Sequence, residues 1–328
     1  MNINIKLLII LCFVLSLNCV ENGLYKLEDK KDFRSEMRSF VVGISKYAKN
    51  YSPGFMIIPQ NGHELLTENG ESTGNIITSY TNAIDGVGRE DLYYGYNSDD
   101  VATPDNIRDA MISFMNLAET NNIQVLTTDY CFTHANMDNS YGWNNTKGYI
   151  SFAAESRELD IIPTYPADPY HLNVNNISNL ANARNFLYLI NPDNFGSKDA
   201  FLNALNATSY DVLLIDLFFD ETELTQADIA SLKTKNGGGS RLVIAYMSIG
   251  EAEDYRYYWQ PEWSRKPPLW LYEENPDWKG NYKVKYWDEN WQKIIFGENN
   301  SYLDKILNCG FDGVYLDIID AFEYFEGL

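Results

Sequence analysis

The sequence predicts an α/β protein, a (β/α)8 TIM barrel that is circularly permuted so that its N-terminal helix covers its C-terminal strand. Short apolar runs typical of strands recur eight times, with helical patterns between them. Two of these runs, Val212–Ile215 and Leu242–Ala245, are apolar without interruption, which indicates parallel strands buried on both faces. The chain ends also complement each other. A helix over residues 31–50 has no strand before it, and a strand ending at Asp317 leaves no room for a full helix.

The two ends favour a closed barrel over the alternative, a doubly wound open sheet. In a closed barrel the first and last strands are neighbours. The N-terminal helix can therefore cover the C-terminal strand and take the place of the missing helix, whereas an open sheet offers no such closure. We expect a single (β/α)8 catalytic domain over residues 31–328.

The N-terminus predicts export. Residues 1–19 have the form of a signal peptide, with Lys6 before an apolar run, Leu7–Leu17, that is too short to span a bilayer. Cys19 directly after this run indicates a lipoprotein signal, cleaved before Cys19 and lipid-modified on its sulfur; an ordinary cleaved signal is the alternative. Residues 20–30 would form a tether. We expect an exported lipoprotein that touches the membrane only through its lipid anchor.

The first helix is predicted from apolar side chains that repeat at helical spacing on one face. They are Phe33, Met37, Phe40, Val41, Ile44 and Ala48. Another helix begins at Thr103–Asp105, where a hydroxyl cap is followed by proline and an acid. Amphipathic stretches predict two more helices, Ser197–Ala207 and Thr225–Asn236, and three glycines end the second of them.

The eight strands are predicted from runs rich in β-branched, aromatic and aliphatic residues. In chain order they are Phe55–Pro59, Ala83–Val87, Gln124–Thr128, Asp160–Thr164, Asn185–Ile190, Asp211–Leu217, Arg241–Ser248 and Asp312–Asp317. A long connection, residues 250–292, follows the seventh strand and carries six of the seven tryptophans. Connections of this length are usually functional or disordered, and the density of aromatic residues argues against disorder.

The formal net charge of −21 limits the possible partners. It argues against nucleic acids and anionic membrane surfaces, and it favours a cationic ligand. The simpler interpretation is that the charge keeps an exported protein soluble.

The predicted strands deliver a mixture of carboxylates, tyrosines and amides to one rim, at their C-terminal ends, where barrel active sites lie. These residues include Asn61, Asp85, Glu90, Asp91, Asp129, Tyr165, Asp168, Asp216, Tyr246, Glu251, Asp317 and Asp320. Glycoside hydrolysis uses two carboxyl groups, and aromatic rings stack on the C–H faces of sugars. An oxygen-rich rim can alternatively bind Mg²⁺ or Ca²⁺. No segment has metal-ligand spacing, so we predict neither a metal nor a cofactor.

Six motifs together resemble glycoside hydrolase family 114, and its bacterial and archaeal branch most closely. They are Ile57–Gly62, Ile84–Asp91, Asp129–Cys131, Ile244–Arg256, Lys285–Trp287 and Gly310–Asp317. In the family, the segment that resembles residues 187–317 precedes the one that resembles residues 31–168, and here the two halves are exchanged. The resemblance therefore also implies a circular permutation.

The resemblance implies an endo-α-1,4-polygalactosaminidase-like enzyme that cleaves a galactosamine-containing polysaccharide on a (β/α)8 barrel. It implies Asp317 as one catalytic acid and Glu90 as the other, with Asp91 as the fallback. We assign Asp317 as nucleophile and Glu90 as acid/base, and these roles are interchangeable at this stage.

The resemblance further implies a sugar subsite lined by Tyr246, Glu251, Asn61, Arg89, Asp216 and Asp129. We add Asp320 and Trp287 to this predicted subsite. A de-acetylated amino-sugar polymer would be cationic and would suit the acidic rim. We expect the protein to be a monomer. Two alternatives remain. One is a surface lipoprotein that binds glycan on the same barrel without cutting it, and the other is a hydrolase for a different amino-sugar polymer.

Overall fold

A computed structural model describes residues 31–328. The predicted signal peptide (residues 1–19) with Cys19 and the predicted tether (residues 20–30) lie outside the described residues. Within residues 31–328, no helix combines the length and the apolar character needed to cross a membrane.

The strands and helices alternate through most of the described chain. The strands are β1 Met56–Pro59, β2 Gly86–Glu90, β3 Gln124–Tyr130, β4 Ile150–Ala154, β5 Phe186–Leu189, β6 Val212–Ile215, β7 Phe218–Phe219, β8 Thr222–Glu223, β9 Leu242–Ser248, β10 Glu251–Glu253, β11 Leu271–Glu274, β12 Asn281–Val284 and β13 Gly313–Asp317. The α-helices are α1 Phe33–Tyr51, α2 Thr78–Thr81, α3 Asp105–Thr120, α4 His134–Lys147, α5 Lys198–Asn206, α6 Gln226–Leu232, α7 Glu289–Ile295, α8 Tyr302–Cys309 and α9 Ala321–Glu326.

The core of the fold is parallel. One sheet has the strand order β1-β13-β9-β6-β5, and a second has the order β2-β3-β4. Every pairing within these two sheets is parallel. Isolated parallel bridges connect the sheets at both edges, Gln60 with Gly88 and Ser151 with Asn185. The predicted mixed α/β class with a parallel central sheet is confirmed, and the strand order is that of a TIM-barrel-like protein.

Helix α1 lies where the sequence predicts it. The Asp32 carboxylate caps its first turn by accepting from the Ser35 N–H, and its apolar face is buried. Tyr47 donates to Asp304 on α8 (2.7 Å), and Ser45 donates to the Ala83 carbonyl before β2 (2.6 Å). This first helix therefore packs between elements from the C-terminal end of the chain and elements that follow β1.

The fourth predicted strand is wrong. Residues 160–164 are irregular, and the fourth parallel strand is β4, which pairs with β3 and is buried throughout. Pro163 has no N–H to donate to a neighbouring strand, which disfavours a strand interior at this position. Tyr165 and Asp168, which we expected at a strand end, therefore do not lie at one.

Helix α4 was not predicted because its buried face is partly polar. That face consists of Met137, Ser140, Tyr141 and Asn144, so the apolar periodicity is weak. The predicted cap of α3 is also wrong, since Pro104 occupies the cap position and the Thr103 hydroxyl donates to the Asp91 carbonyl (2.7 Å). Helix α6 begins with the predicted Thr225 cap but ends earlier than predicted, at Leu232.

The long connection after β9 is ordered around its tryptophans. Its strands form the antiparallel sheet β10-β12-β11. Four indoles contact one another in series, with ring centroids 5.0–5.2 Å apart: Trp259, Trp263, Trp270 and Trp291. Most of this aromatic density therefore builds a satellite core, whereas Trp278 stays exposed.

Candidate active site

A cavity of about 620 Å³ opens at the C-terminal ends of the parallel strands, and we call it the main cavity. Several strands each deliver a polar side chain to its wall from the residue at or just after the strand end. Six of the residues that the sequence predicts for the site line it: Asn61, Glu90, Asp216, Tyr246, Asp317 and Asp320. The structure thus brings acids from both ends of the described chain into one space.

Glu90, at the end of β2, is held by two hydrogen-bond donors. Asn61 Nδ2 donates to one carboxylate oxygen (3.1 Å), and the Tyr130 hydroxyl donates to the other in a short hydrogen bond. Asn61 follows β1 with φ 60°, a left-handed conformation that asparagine tolerates better than most residues. The two donors fix the orientation of the Glu90 carboxylate.

Close packing lies directly below Glu90. A Cβ on Gly88 would meet the Tyr315 hydroxyl oxygen at 1.9 Å, so only glycine leaves space for this tyrosine. The Tyr315 hydroxyl is buried and has no hydrogen-bond partner among the described residues. The position of β2, and hence of Glu90, is tightly constrained.

Asp317 ends β13 and is held on both oxygens. Tyr246 Oη donates to Oδ2 (2.6 Å), and the backbone N–H of Ile318 donates to Oδ1 (2.8 Å). Burial, followed by the negative charge of Glu90, raises the pKa of Asp317 to about 7. Asp317 therefore keeps a proton under conditions in which an ordinary aspartate has lost it.

Backbone strain accompanies Asp317. Ile318 has φ 57°, and a β-branched residue in the left-handed region is strained. Strain of this kind persists where the surrounding structure imposes it, and it is concentrated at functional sites. Gly250 permits the conformation, because a Cβ there would lie 2.2 Å from the Ile318 carbonyl oxygen.

Asp320 is a further carboxyl group that lines the main cavity. Burial, followed by the charges of Glu323 and Glu90, raises the pKa of Asp320 to about 6. The fallback acid Asp91 does not line the cavity and is paired with Arg157 (2.9 Å). This placement supports Glu90 over Asp91 as the partner of Asp317.

Asp216 belongs to a buried ion network that the sequence did not predict. Arg256 donates to both oxygens of Asp216 (2.8 and 2.6 Å) and to Glu253 (2.6 Å). Tyr255 also donates to Glu253 (2.7 Å). Asp216 and Arg256 are distant in the chain, so the spacing of residues could not have predicted the pair. The network forms a rigid wall of the main cavity.

Arg157 is a second lining residue that the sequence analysis missed. It donates to Asp91 and Asp99 (2.9 Å each), and its guanidinium lies 3.8 Å from the centre of the Tyr130 ring. Arg157 follows β4, so the misplaced fourth strand concealed it. The Arg157 guanidinium packs against the Tyr130 ring and so helps to hold the Tyr130 hydroxyl in contact with Glu90.

Two predicted subsite residues hold β2 and β3 in place instead of lining the cavity. Asp129 is fully buried and accepts from the Tyr93 N–H (2.7 Å) and from the Ser140 hydroxyl of α4 (2.6 Å). Arg89 Nε donates to the Glu90 carbonyl oxygen (2.9 Å). The expectation that these side chains lie in the sugar subsite does not match their positions.

Two more predicted subsite residues belong to the packing around the long connection. Glu251 is buried and accepts from Asn275 (2.8 Å) and Lys283 (3.1 Å), which ties β10 to its neighbours. Trp287 packs against Phe325 and Phe33, with ring centroids 4.7 and 5.0 Å away. Neither side chain lines the main cavity. The expectation failed because residue type and position in the chain do not indicate the direction in which a side chain points.

A parallel α/β fold with paired carboxylates in a cavity at its strand ends is consistent with a TIM-barrel-like glycosidase. Residues 185–328, somewhat less than half of the chain, match the family model described as glycoside-hydrolase family GH114. The matched segment contains Asp317, Tyr246 and Asp216, whereas Glu90 lies outside it.

Three curated proteins are similar to parts of the chain. An uncharacterized protein of Methanocaldococcus jannaschii is 44% identical over 155 residues, which cover 46% of this chain and 41% of the relative. Uncharacterized proteins of Thermotoga maritima and Deinococcus radiodurans are each 42% identical, over 120 and 122 residues. Those matches cover 37% of this chain in both cases, and 36% and 37% of the respective relatives. The chain thus spans less than half the length of the curated relatives that it matches.

Proposed function

We propose that this protein is an exported glycoside hydrolase that cleaves a galactosamine-containing polysaccharide with the carboxyl groups of Asp317 and Glu90. One observation carries the proposal. The two acids come from distant parts of the chain, line the same cavity, and are close enough that the charge of Glu90 raises the pKa of Asp317. The match of residues 185–328 to the GH114 family model supports glycosidase chemistry.

The proposal includes a closed, circularly permuted barrel. Closure is supported by the parallel bridges that join β1 to the edge at β2 and β4 to the edge at β5. Permutation is supported by α1, which is hydrogen-bonded to α8 on one side and to the segment before β2 on the other. In this arrangement only β1 separates the strand that carries Asp317 from the strand that carries Glu90.

The surroundings of the two acids suggest a division of roles. Asp317, with its raised pKa, suits the proton donor, and Glu90, which accepts two hydrogen bonds, suits the charged partner. This order reverses our first assignment of the interchangeable roles. Asp317 gives its proton to the glycosidic oxygen as the bond from that oxygen to the anomeric carbon breaks. Glu90 attacks that carbon or activates the water that does, and the water oxygen ends on the sugar.

Charge supports an amino-sugar substrate. Arg256 offsets the charge of only one of its two carboxylate partners in the wall, and Glu90 and Asp320 add to the negative potential of the cavity. Together with the net charge of −21, this arrangement attracts a de-acetylated, cationic polymer.

Cleavage of a defined polymer tests the proposal. The purified protein is incubated with α-1,4-linked galactosamine polymer, with its fully N-acetylated form and with a glucosamine polymer, and new reducing ends are counted. We expect fragments from the first polymer, and the anomeric form of the first product identifies retention or inversion. Binding without any cleavage would instead support a glycan-binding role on the same fold.

The pH dependence of cleavage provides a second test. A proton donor with a raised pKa is loaded below that pKa, so we expect kcat/KM to fall as the pH rises through about 7. The hydrogen bond from Tyr246 favours the charged form of Asp317 and lowers its pKa. Tyr246→Phe should therefore move the fall in kcat/KM to higher pH. A profile that is level from pH 6 to 9, or the same in both proteins, would contradict the assignment of Asp317 as the acid.

A further inference from the structure

We propose that Tyr255 and Trp278, here called the aromatic rim, form a platform that binds a further sugar ring of the glycan beside the catalytic pair. This inference rests on the proposed function and assigns a binding subsite within it. Both residues line the main cavity.

The rings of the aromatic rim are partly open to solvent, and the Arg256 guanidinium lies 5.3 Å from the centre of the Tyr255 ring. Trp278 is 46% exposed and Tyr255 is 57% exposed, although both belong to the wall of a cavity. Most other tryptophans of the long connection pack on one another or on the core. Within residues 31–328, no ring or polar group pairs with the indole of Trp278. An exposed, unpaired indole at a cavity mouth presents a flat apolar face where a substrate must pass.

The backbone holds the rim in place before any ligand binds. The Asn281 N–H donates to the Trp278 carbonyl (3.1 Å), and the Asp254 N–H donates to the Gly280 carbonyl (2.8 Å). Gly280 has φ +89°, and a Cβ there would lie 2.8 Å from Asp254 Oδ1 and 3.7 Å from Tyr255 Cδ1. The segment before Tyr255 and the turn after Trp278 are therefore in direct contact. Little conformational entropy is lost when such a preorganised surface binds.

The Tyr255 hydroxyl adds a polar anchor to this rim. It donates to Glu253 (2.7 Å) and lies 3.3 Å from Asn281 Oδ1. Because Glu253 is fixed by Arg256, the tyrosine ring is fixed to the wall that also carries Asp216. The platform and the catalytic cavity therefore belong to one rigid unit.

The chemistry of the rim suits an amino-sugar ring. The C–H face of a pyranose stacks on an indole or phenol ring, and a protonated amine is attracted to the negative face of the same ring. A second cavity of about 340 Å³ continues beyond Tyr255. Tyr255 therefore forms part of the wall of both cavities.

Truncation of the indole tests the subsite kinetically. For a polymer or a long oligosaccharide of galactosamine, Trp278→Ala should raise KM about tenfold with kcat within about twofold, because the ring binds ground state and transition state alike. Trp143→Ala is the matched control, since Trp143 is 42% exposed on α4 and does not line the main cavity. An unchanged KM for Trp278→Ala, or an equal change in both variants, overturns the inference.

Fluorescence separates the subsite from catalysis. Asp317→Asn protein is titrated with oligosaccharides of increasing length, and the change in indole emission should be lost in Trp278→Phe and retained in Trp143→Phe. The titration needs no cleavage. If wild type cuts no amino-sugar polymer but this difference appears, the proposed activity is wrong and the subsite stands. If wild type cuts the polymer and Trp278→Phe keeps the full emission change, the subsite alone is wrong.

Discussion

Asp317→Asn is expected to lower kcat for polymer cleavage by about a thousandfold or more, since general acid catalysis alone contributes 10²–10⁴-fold. Asparagine has nearly the shape of aspartate: its oxygen can still accept from the Ile318 N–H, and its amide N–H can donate to the Tyr246 oxygen. It cannot give a proton to the leaving oxygen. Glu90→Gln should cause a loss of similar size, because the glutamine has no charge to stabilise the developing cation or to activate water.

The control and a stability measurement make this prediction specific. Asp168→Asn changes an exposed acid outside the main cavity and should leave kcat unaltered. Because the pKa of Asp317 is raised in the folded state, the free energy of unfolding decreases as the pH rises from about 4 to above 7. At pH 8, Asp317→Asn should therefore stabilise the protein by about 1–3 kcal/mol, seen as a higher Tm. Equal product from wild type and Asp317→Asn would remove the catalytic assignment.

Lys235→Met is expected to destabilise the protein by about 3–5 kcal/mol, the cost of leaving a buried charge without its partner. Lys235 Nζ lies 2.8 Å from Asp211 Oδ1, and neither side chain is accessible to solvent. Asp211 also accepts from the Arg184 N–H (2.8 Å) and from Asn173 (2.9 Å), but these neutral donors carry no compensating charge. Because Asp211 precedes β6, it lies at the end of the sheet away from the main cavity, and the activity per folded molecule should not change.

Urea unfolding measures this effect against a matched pair on the surface. Lys198→Met breaks the partly exposed pair with Asp228, which should cost less than about 1 kcal/mol. Lys235→Met/Asp211→Asn should recover part of the loss, because the double variant no longer buries a lone carboxylate. Similar midpoints for Lys235→Met and Lys198→Met would show that the buried pair has no special role in stability.

Local patterns predicted most of the fold. The continuous apolar runs at β6 and β9 indicated parallel strands, and the face of α1 showed the spacing of a helix against a core. Among the elements that local patterns did not predict are β4 and α4, where burial is shared by small or polar residues that periodicity does not mark. Ser140 and Asn144 are buried because Asp129 lies opposite them, a relation that no local pattern contains.

The candidate site was predicted only in part, because local patterns do not contain the direction of a side chain or its partners in space. The rule that strand ends carry the site selected Asp317 and Glu90, which line one cavity, but it also selected Asp129 and Glu251, which point into packing. The end of a strand indicates where the backbone reaches the rim, but it does not indicate which side chains face the cavity. Successive side chains in a strand point to opposite faces, so an error of one residue reverses the direction. Arg256 acquires its role only through Asp216, on another strand.

The sequence by itself determined the parallel α/β class and the acids at the ends of β2 and β13, because each depends on residues close together in the chain. Only the tertiary structure decided that the pKa of Asp317 is raised, which acids pair with Arg256, and which tryptophan of the long connection is exposed. Those properties follow from burial and from charges that folding brings together, and electrostatic and packing energies depend on distance in space rather than on position along the chain.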